Sequence, residues 1–378
     1  MSLWKPTRPI LMTADPIGGV WTYALELCRE LGKSDVTVAL ATMGRRLNDE
    51  ERAAVWCISN VELFESDYKL EWMTDPWDDV RAAGEWLLDL ESRTEPSLIH
   101  LNGYCHGALR WKVPCLIVGH SCVYSWFEAV KSAPPGPEWQ PYKQSVTIGL
   151  RGADLVTAPS EFMLSVLKRH YGSFAATDPI YNGCSAAEFT PMAKEPLIIT
   201  VGRLWDKAKN IAILEHVGAK VPWAICAAGE NRSPDGNYVS LKGLVPLGRL
   251  TSHMLARWLG RAAIFVLPAR YEPFGFSALE AGLAGCALVL GDVPSLREIW
   301  VDSALFVSPN DRDNIAAALT RLIEDSSLWQ TLSERARKRA LSFSSERMAQ
   351  AYLSLYETLL SARGQTIGEH FNKASQSE

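Results

Sequence analysis

The chain has 378 residues, with 38 Lys and Arg against 43 Asp and Glu, and 47% of its residues are apolar. This length is enough for two folded domains, and the composition excludes collagen, coiled coil and disorder for the chain as a whole. The net charge of -5 argues against a dedicated nucleic-acid binder, because such proteins meet phosphates with a basic face.

No apolar run reaches the roughly 18 to 20 residues that a membrane-spanning helix requires. Lys5 and Arg8 are not followed by the apolar stretch of a secretory signal, so the chain is expected to be cytoplasmic. Its cysteines lack Cys-x-x-Cys spacing, which favours reduced, buried thiols over disulfides or zinc. They are Cys28, Cys57, Cys105, Cys115, Cys122, Cys184, Cys226 and Cys286.

Short runs rich in Val, Ile and Leu alternate with longer helical patterns, which is typical of buried parallel strands joined by helices. In the first half the predicted strands are Pro9–Ala14, Val36–Thr42, Leu98–Asn102, Cys115–His120 and Leu155–Ser160. In the second half they are Leu197–Arg203, Trp223–Gly229, Leu244–Gly248, Ala263–Pro268, Ala287–Asp292 and Ala304–Val307. Two such series predict an α/β protein with two doubly wound, Rossmann-like domains.

Between the two series the chain lacks sustained periodicity and is rich in turn residues. These are Pro179, Asn182, Gly183, Pro191 and Pro196. We therefore predict a first domain over residues 1–175, a linker over 176–196 and a second domain over 197–344.

Apolar residues recur with helical spacing near the C-terminus. They are Met348, Tyr352, Leu355 and Leu359. This pattern predicts a helix over about residues 345–363 that ends near Gly364 and packs back toward the first domain. A polar, frayed tail is expected over residues 364–378.

In open α/β sheets, ligands bind outside the carboxyl ends of the strands, so the residues that follow each strand are the first site candidates. Gly18 and Gly19 follow the first strand and open a helical pattern. Paired glycines let the backbone approach a phosphate or a sugar hydroxyl at a helix N-terminus, although a tight turn explains them equally well. No Gly-x-Gly-x-x-Gly or P-loop motif marks a nicotinamide or ATP site.

His120 directly follows the strand that begins at Cys115, which places an imidazole at the ligand end of that strand. A lone histidine is often structural, but here position and chemistry agree on a role toward a ligand. His100 and His106 have no carboxylate at metal-ligand spacing and are interpreted as core or loop residues.

The segment GRLWDKAKN, residues 202–210, follows the first strand of the second series. Its cations at a strand end suit an anionic ligand, Arg203 through its planar fork and Lys207 or Lys209 as a point charge. The alternative is a solvated loop held by salt bridges.

The segment EPFGFSALEAG, residues 272–282, follows the predicted strand Ala263–Pro268. A helix beginning near Gly275 would direct free N–H groups toward a ligand, with Glu272 before the helix and Glu280 about one turn into it. The two carboxylates can then bind different pairs of sugar hydroxyls. Glu272 could instead only complement the helix dipole.

Together these motifs resemble glycosyltransferase family 4, which are retaining nucleotide-sugar transferases of the GT-B architecture. The resemblance runs from about Ile10 to Leu360, and the pair of glutamates with seven residues between them is its most specific part. It implies two Rossmann-like domains that face a central cleft, a nucleotide diphosphate sugar as donor, and neither a cofactor nor a metal.

The resemblance also implies residue roles. Arg203 and Lys209 would hold the donor diphosphate, and Glu280 would bind the ribose hydroxyls. Glu272, with the backbone at Phe274, Gly275 and Phe276, would meet the donor sugar. His120 would lie beside the anomeric centre or the sugar hydroxyls, and Gly18 and Gly19 beside the phosphates.

The chain departs from the family pattern at two places. The family's lysine commonly stands five residues after the arginine, whereas Lys207 stands at four and Lys209 at six; we prefer Lys209 because Asn210 follows it. Ser121 follows His120 where an aspartate is frequent, which changes the hydrogen bonding of that turn.

The acceptor is expected on the first domain. Residues 1–175 carry 17 Lys and Arg against 22 Asp and Glu, and this acidic balance favours a soluble acceptor over docking on anionic lipid. Trp126 lies before a proline-rich loop, residues 133–141, and Trp139 lies within it; both are candidates for stacking on an acceptor.

The sequence thus predicts a retaining, metal-independent glycosyltransferase that moves a hexose from a nucleotide diphosphate sugar to a saccharide or small molecule. Two alternatives remain. A GT-B sugar-nucleotide epimerase would use the same donor without an acceptor. A non-catalytic bilobal sugar-binding protein would bind without chemistry and would normally be exported.

Overall fold

A computed structural model describes residues 8–374 apart from 233–235 and 237, and for residues 363–374 it describes the backbone alone. Its strands are β1 (Ile10–Ala14), β2 (Val38–Thr42), β3 (Val61–Glu65), β4 (Leu98–Leu101), β5 (Cys115–Val118), β6 (Leu155–Thr157), β7 (Glu195–Val201), β8 (Ala224–Ala228), β9 (Val245–Gly248), β10 (Ala262–Leu267), β11 (Ala287–Gly291) and β12 (Leu305–Val307). Its helices are α1 (Gly19–Lys33), α2 (Asp49–Trp56), α3 (Trp77–Thr94), α4 (Val123–Lys131), α5 (Gln140–Gly152), α6 (Glu161–Tyr171), α7 (Leu214–Gly218), α8 (Ser252–Arg261), α9 (Phe276–Leu283), α10 (Pro294–Trp300), α11 (Arg312–Glu324), α12 (Ser326–Ala340) and α13 (Ser345–Ala374).

The described residues form two compact units. Unit 1 comprises residues 8–123, 135–183 and 345–374, and unit 2 comprises residues 124–134 and the described part of 184–344. Each is built on a six-stranded sheet, in the order β3-β2-β1-β4-β5-β6 in unit 1 and β12-β11-β10-β7-β8-β9 in unit 2. All the pairings are parallel. The predicted α/β class with two doubly wound domains is confirmed.

The central strands are buried on both faces by helices, which is why they appear in the sequence as continuous apolar runs. Ile10, Leu11 and Met12 in β1 are fully buried, as are Ile264 and Phe265 in β10. The strand β3 escaped prediction because it lies at the edge of its sheet. Its residues VELFE alternate and are at most half-buried, so they lack the continuous apolar signal.

The predicted linker is wrong at both ends. Residues 176–183 belong to unit 1, where the backbone runs beside β6: Thr177 N donates to Val156 O over 3.1 Å, and Ile180 N to Ala158 O over 3.0 Å. Unit 2 begins at residue 184, and β7 already begins at Glu195. These backbone hydrogen bonds extend the sheet in a stretch whose prolines had indicated a linker.

The helix α4 belongs to unit 2, although it was expected in the first domain. Ser125 Oγ and Tyr271 OH are hydrogen-bonded over 2.8 Å, and both side chains are buried.

The loop predicted over residues 133–141 is also shorter than expected. Pro137–Trp139 form a 3₁₀ turn and α5 begins at Gln140 with Pro141 in its first turn, where a proline costs no hydrogen bond.

The helix α13 belongs to unit 1 and contacts α1, with the rings of Tyr352 and Tyr23 5.9 Å apart. Its backbone continues past Gly364 to Ala374, so the predicted end is wrong: one glycine weakens a helix by about 1 kcal/mol without ending it. Residues 375–378 of the predicted tail lie outside the described residues.

Seven of the cysteines are buried, but Cys57, which caps α2, is exposed. The expectation of buried thiols is therefore wrong for Cys57.

Candidate functional site

In each unit the candidate residues follow strands at or next to the point where the strand order reverses. That point lies between β1 and β4 in unit 1 and between β7 and β10 in unit 2. Helices leave such neighbouring strands in opposite directions, which opens a crevice at the carboxyl edge of the sheet. Gly18 follows β1, and the segments at Arg203 and Glu272 follow β7 and β10.

Gly18 caps the N-terminus of α1 with φ 116°, a backbone angle that favours glycine. Gly18 and Gly19 are both exposed. The turn before them is held by Asp15, whose Oδ1 accepts a hydrogen bond from Ile17 N at 2.9 Å. The first N–H groups of α1 therefore lie beside two solvent-exposed glycines, where they can bind an anion.

His120 is half-buried in unit 1, at the end of β5. Its Nε2 lies 2.8 Å from Asn102 Oδ1, and its ring meets the Tyr23 ring edge-on at 4.6 Å. Loss of hydration disfavours the imidazolium and lowers the pKa of His120 to about 3. His120 is consequently a neutral ring at physiological pH.

Beside His120 lies a buried hydrogen-bonded chain centred on His100. Its Nε2 is 3.1 Å from Tyr23 OH and its Nδ1 is 2.6 Å from Tyr356 OH on α13. Burial, with a smaller effect of His120, lowers the pKa of His100 to about 3. One ring nitrogen of neutral His100 donates while the other accepts, so both hydroxyls are satisfied.

In unit 2, Arg203 is held by its neighbours after β7. It donates from Nε and Nη2 to Asp206 Oδ2, the former over 3.2 Å, and its guanidinium lies 5.5 Å from the centre of the Trp205 ring. Burial alone would raise the pKa of Asp206, but Arg203, Ala208 N and Lys209 outweigh it and lower that pKa. The carboxylate thus stays charged and fixes the guanidinium.

Lys209 donates from Nζ to Glu272 Oε2 in an ion pair between the segments that follow β7 and β10. The pair is largely buried, with side-chain exposures of 19% for Lys209 and 8% for Glu272. Lys207 is exposed. Only Lys209 of the two lysines is therefore held beside the glutamate.

Asn210 fixes the backbone that carries Lys209. It is buried, has a left-handed φ of 56°, and donates from Nδ2 to Pro268 O at 3.0 Å and to Pro309 O at 2.7 Å. These carbonyls follow β10 and β12, so one amide joins the ends of three strands.

The segment after Glu272 turns sharply into α9. Gly275 caps the helix with φ 93°, and Ser295 Oγ donates to the backbone oxygen of Glu272. The Phe274 ring is buried against Phe276 and Phe343, at 5.5 and 5.9 Å. Phe274 can therefore meet a ligand only through its backbone.

Glu280 lies one turn into α9 and is half-buried.

The two tryptophans are the acceptor candidates. Trp126 lies on α4 in unit 2, against Phe127, whereas Trp139 lies in unit 1 against Tyr142. The structure therefore places the two acceptor candidates in different units.

Sequence reasoning missed Asp206 and Asn102, the residues that hold Arg203 and His120. Asp206 had a signal, since a carboxylate three residues after an arginine is well placed to pair with it. For Asn102 the only signal in the sequence was its position directly after β4.

Within the described ranges, no cluster of three His, Cys, Asp or Glu residues is arranged to hold a metal ion. In the same residues, no helix combines the length and apolarity needed to cross a bilayer.

Solved structures share the fold over nearly the whole chain. Sucrose-phosphate synthase from Thermosynechococcus elongatus aligns with a TM-score of 0.77 at 21% identity, over 94% of this chain and 100% of that one. Anabaena HepE in complex with UDP-glucose aligns with a TM-score of 0.75 at 16% identity, over 93% and 100%. These likenesses show a two-domain α/β fold of GT-B type.

Among curated proteins, glycogen synthase of Mycobacterium tuberculosis is 30% identical over 235 residues, which are 57% of this chain and 56% of that protein. The chain thus matches about half the length of this relative. Two family models match successive parts of the chain, Glycosyltransferase Family 4 over residues 17–188 and Glycosyl transferases group 1 over residues 195–325. These two matches together cover most of the chain, which therefore belongs to glycosyltransferase family 4.

Proposed function

We propose that the protein transfers a hexose from a nucleoside diphosphate sugar to a hydroxyl group of a saccharide or small molecule, with retention of configuration and without a metal. The observation that carries this proposal is the ion-paired segment of unit 2. It holds Arg203 and Lys209, which both follow β7, through Asp206 of the same segment and Glu272 after the adjacent strand β10.

These cations suit a diphosphate leaving group. Breaking the bond between sugar and phosphate builds negative charge on the departing oxygen, and cations fixed beforehand stabilise that charge without reorganising. Each of the two cations also has a carboxylate partner, which balances its charge when no ligand is bound. In this proposal they take the part that a metal ion plays in other transferases.

The donor sugar is assigned to Glu272 and the N-terminus of α9. Glu272 lies before the helix, and the backbone N–H groups at Phe276 and Ser277 have no partner within the helix. Glu280, one turn further on, is assigned to the ribose hydroxyls. HepE was solved with UDP-glucose, which makes UDP-hexoses the first donors to test.

Retention is assigned to attack on the same face of the sugar. The bond from the anomeric carbon to phosphate breaks, the bond to the acceptor oxygen forms, and the acceptor's proton passes to the departing phosphate oxygen. The acidic first half of the chain favours an acceptor free in solution over one presented on an anionic membrane surface.

A donor screen tests the assignment. Binding of a nucleoside diphosphate at 100 times its Kd should add about 2.7 kcal/mol of stability, which a thermal shift detects. Incubation with the bound donor and a panel of acceptors, followed by NMR of the product, should show transfer with the donor's anomeric configuration. An inverted product would contradict retention, and epimerised donor without transfer would favour the epimerase.

Metal independence has its own test. Transfer should proceed at an unchanged rate in excess chelator, because the proposed charge stabilisation comes from Arg203 and Lys209. Loss of activity in chelator with recovery on adding Mg²⁺ or Mn²⁺ would contradict this part of the proposal.

A further inference from the structure

The hydrogen bonds of Asn102 fix the orientation of its side-chain amide. Asn102 follows β4, and its backbone N donates to Thr13 Oγ1 of β1 at 2.9 Å. Its Nδ2 lies 2.6 Å from the backbone oxygen of Thr13, which is buried. A carbonyl oxygen only accepts hydrogen bonds, so the NH₂ group must face Thr13 and Oδ1 must face away from it.

This orientation determines which nitrogen of His120 carries the proton. Asn102 Oδ1 lies 2.8 Å from His120 Nε2. Because Oδ1 can only accept, Nε2 must carry the hydrogen. The ring is neutral, since burial lowers the pKa of His120 to about 3. Nδ1 therefore keeps its lone pair.

The Tyr23 hydroxyl does not compete for this arrangement. The hydroxyl of Tyr23, whose ring packs against His120, is hydrogen-bonded to His100, and the other nitrogen of His100 is bonded to Tyr356. His120 is half-buried, so part of its ring is open to solvent. In the described residues, Nδ1 is not one of the fully enclosed polar atoms that lack a hydrogen-bond partner. Nδ1 is thus the ring nitrogen left for a ligand.

We propose that Asn102 is a positioning residue that holds His120 as the Nε2–H tautomer, so that Nδ1 accepts a hydrogen bond from a substrate hydroxyl. This inference rests on the proposed transfer reaction only for the identity of the substrate. The arrangement of Thr13, Asn102 and His120 joins the ends of β1, β4 and β5, and it exists whatever the ligand is.

The tautomer can be measured without activity. Long-range ¹H–¹⁵N NMR of the full chain labelled at histidine, with the His120 signals assigned from His120→Asn, distinguishes the two ring nitrogens. We expect His120 to be the Nε2–H form in the wild type and a mixture of forms in Asn102→Leu. A wild-type His120 in the Nδ1–H form, or doubly protonated at pH 7.5, would overturn the proposal.

Asn60 supplies a matched control. Like Asn102 Nδ2, its Nδ2 donates to the backbone of unit 1, here to two oxygens, Cys28 O at 3.0 Å and Val36 O at 2.8 Å. Asn60→Leu therefore loses the same kind of hydrogen bonds without touching His120. We expect it to match Asn102→Leu in melting temperature while keeping the wild-type tautomer and kcat.

The kinetic expectation is at least a tenfold loss of kcat in Asn102→Leu, with the affinity for free nucleoside diphosphate unchanged because Asn102 acts through His120. Wild-type kcat in that variant, or an equal loss in Asn60→Leu, would overturn the positioning role. If Asn102→Leu does not fold, the wild-type tautomer alone decides. A wild type with the Nε2–H tautomer that transfers no sugar would support the positioning and overturn the proposed reaction.

Discussion

The two units fix their strand-end residues by different means. In unit 1, neutral groups hold one another: Asn102 bonds to His120, and His100 bonds to two tyrosine hydroxyls. In unit 2, ion pairs do so, between Arg203 and Asp206 and between Lys209 and Glu272. Each group combines buried with half-buried residues, so the difference is one of charge rather than of exposure.

This difference suits different parts of a substrate. A buried ion pair gains little net stability because desolvation offsets the attraction, but it keeps two charges in place where an anion can use the cation. A neutral network keeps rings and amides in one tautomer and orientation without attracting a counter-ion. The comparison predicts that substitutions that change charge lower activity mainly when they are made in unit 2. It also predicts that pH changes the stability of the protein mainly through unit 1.

The largest effect is expected from the cations of unit 2. Arg203→Ala and Lys209→Ala should each lower kcat/KM by about 10- to 150-fold, since a charge-assisted contact to the diphosphate is worth about 1.5 to 3 kcal/mol. Lys207→Ala is the control, because Lys207 is exposed. Steady-state kinetics on variants that remain folded measure this, and a larger loss in Lys207→Ala would reverse the assignment of the lysine.

The two glutamates should fail in different ways. Glu272→Gln should lower kcat about tenfold or more with little change in the affinity for free nucleotide, because the contact strengthens only in the transition state. Glu280→Gln should mainly weaken the binding of donor and nucleotide alike. Calorimetry with the nucleoside diphosphate, alongside kinetics, measures both quantities. Equal effects on nucleotide affinity would contradict the division of roles.

A smaller effect is expected at Asn210. Asn210→Gly keeps the left-handed backbone and loses two hydrogen bonds, so activity should fall only a few-fold. Asn210→Asp directs a carboxylate at the oxygens of Pro268 and Pro309, and it should lower both melting temperature and kcat further. Melting curves and kinetics compare the pair. Equal losses in both would show that the amide does not position Lys209.

The smallest effect concerns pH and unit 1. The pKa of His100 falls from 6.5 to about 3 on folding, so its contribution to stability is complete above pH 6.5 and is lost as pH falls toward 3. Between pH 7.5 and 5.5 this loss is about 1.4 kcal/mol. His100→Phe should be less stable at pH 7.5, because Tyr23 and Tyr356 lose their partner, but its melting temperature should fall less on acidification.

His253→Gln serves as the control for that experiment, because His253 is exposed. It should keep the wild-type dependence of melting temperature on pH. The same dependence in His100→Phe would show that His100 does not govern the acid sensitivity of unit 1.

Much of the fold followed from local chemistry. The strands β1 and β10 are buried on both faces and so were visible as apolar runs, and the helix start at Gly275 was visible because glycine tolerates φ 93°. The half-exposed edge strand β3 lacked that signal. The helix α4 lies in unit 2, where Ser125 is hydrogen-bonded to Tyr271, 146 positions further along the chain. No local sequence pattern contains such a contact.

The sequence by itself determined the two doubly wound sheets, the strand ends at which Gly18, His120, Arg203 and Glu272 lie, and the chemical type of each of these side chains. Periodicity and strand order are sufficient for this, because parallel sheets bring the carboxyl ends of their strands to one edge. Only the tertiary structure decided that Lys209 rather than Lys207 pairs with Glu272, and that Asn102 bonds to His120. The reason is physical: such pairings depend on side chains from different strands meeting within about 3 Å, and the backbone spacing that allows this is set by packing.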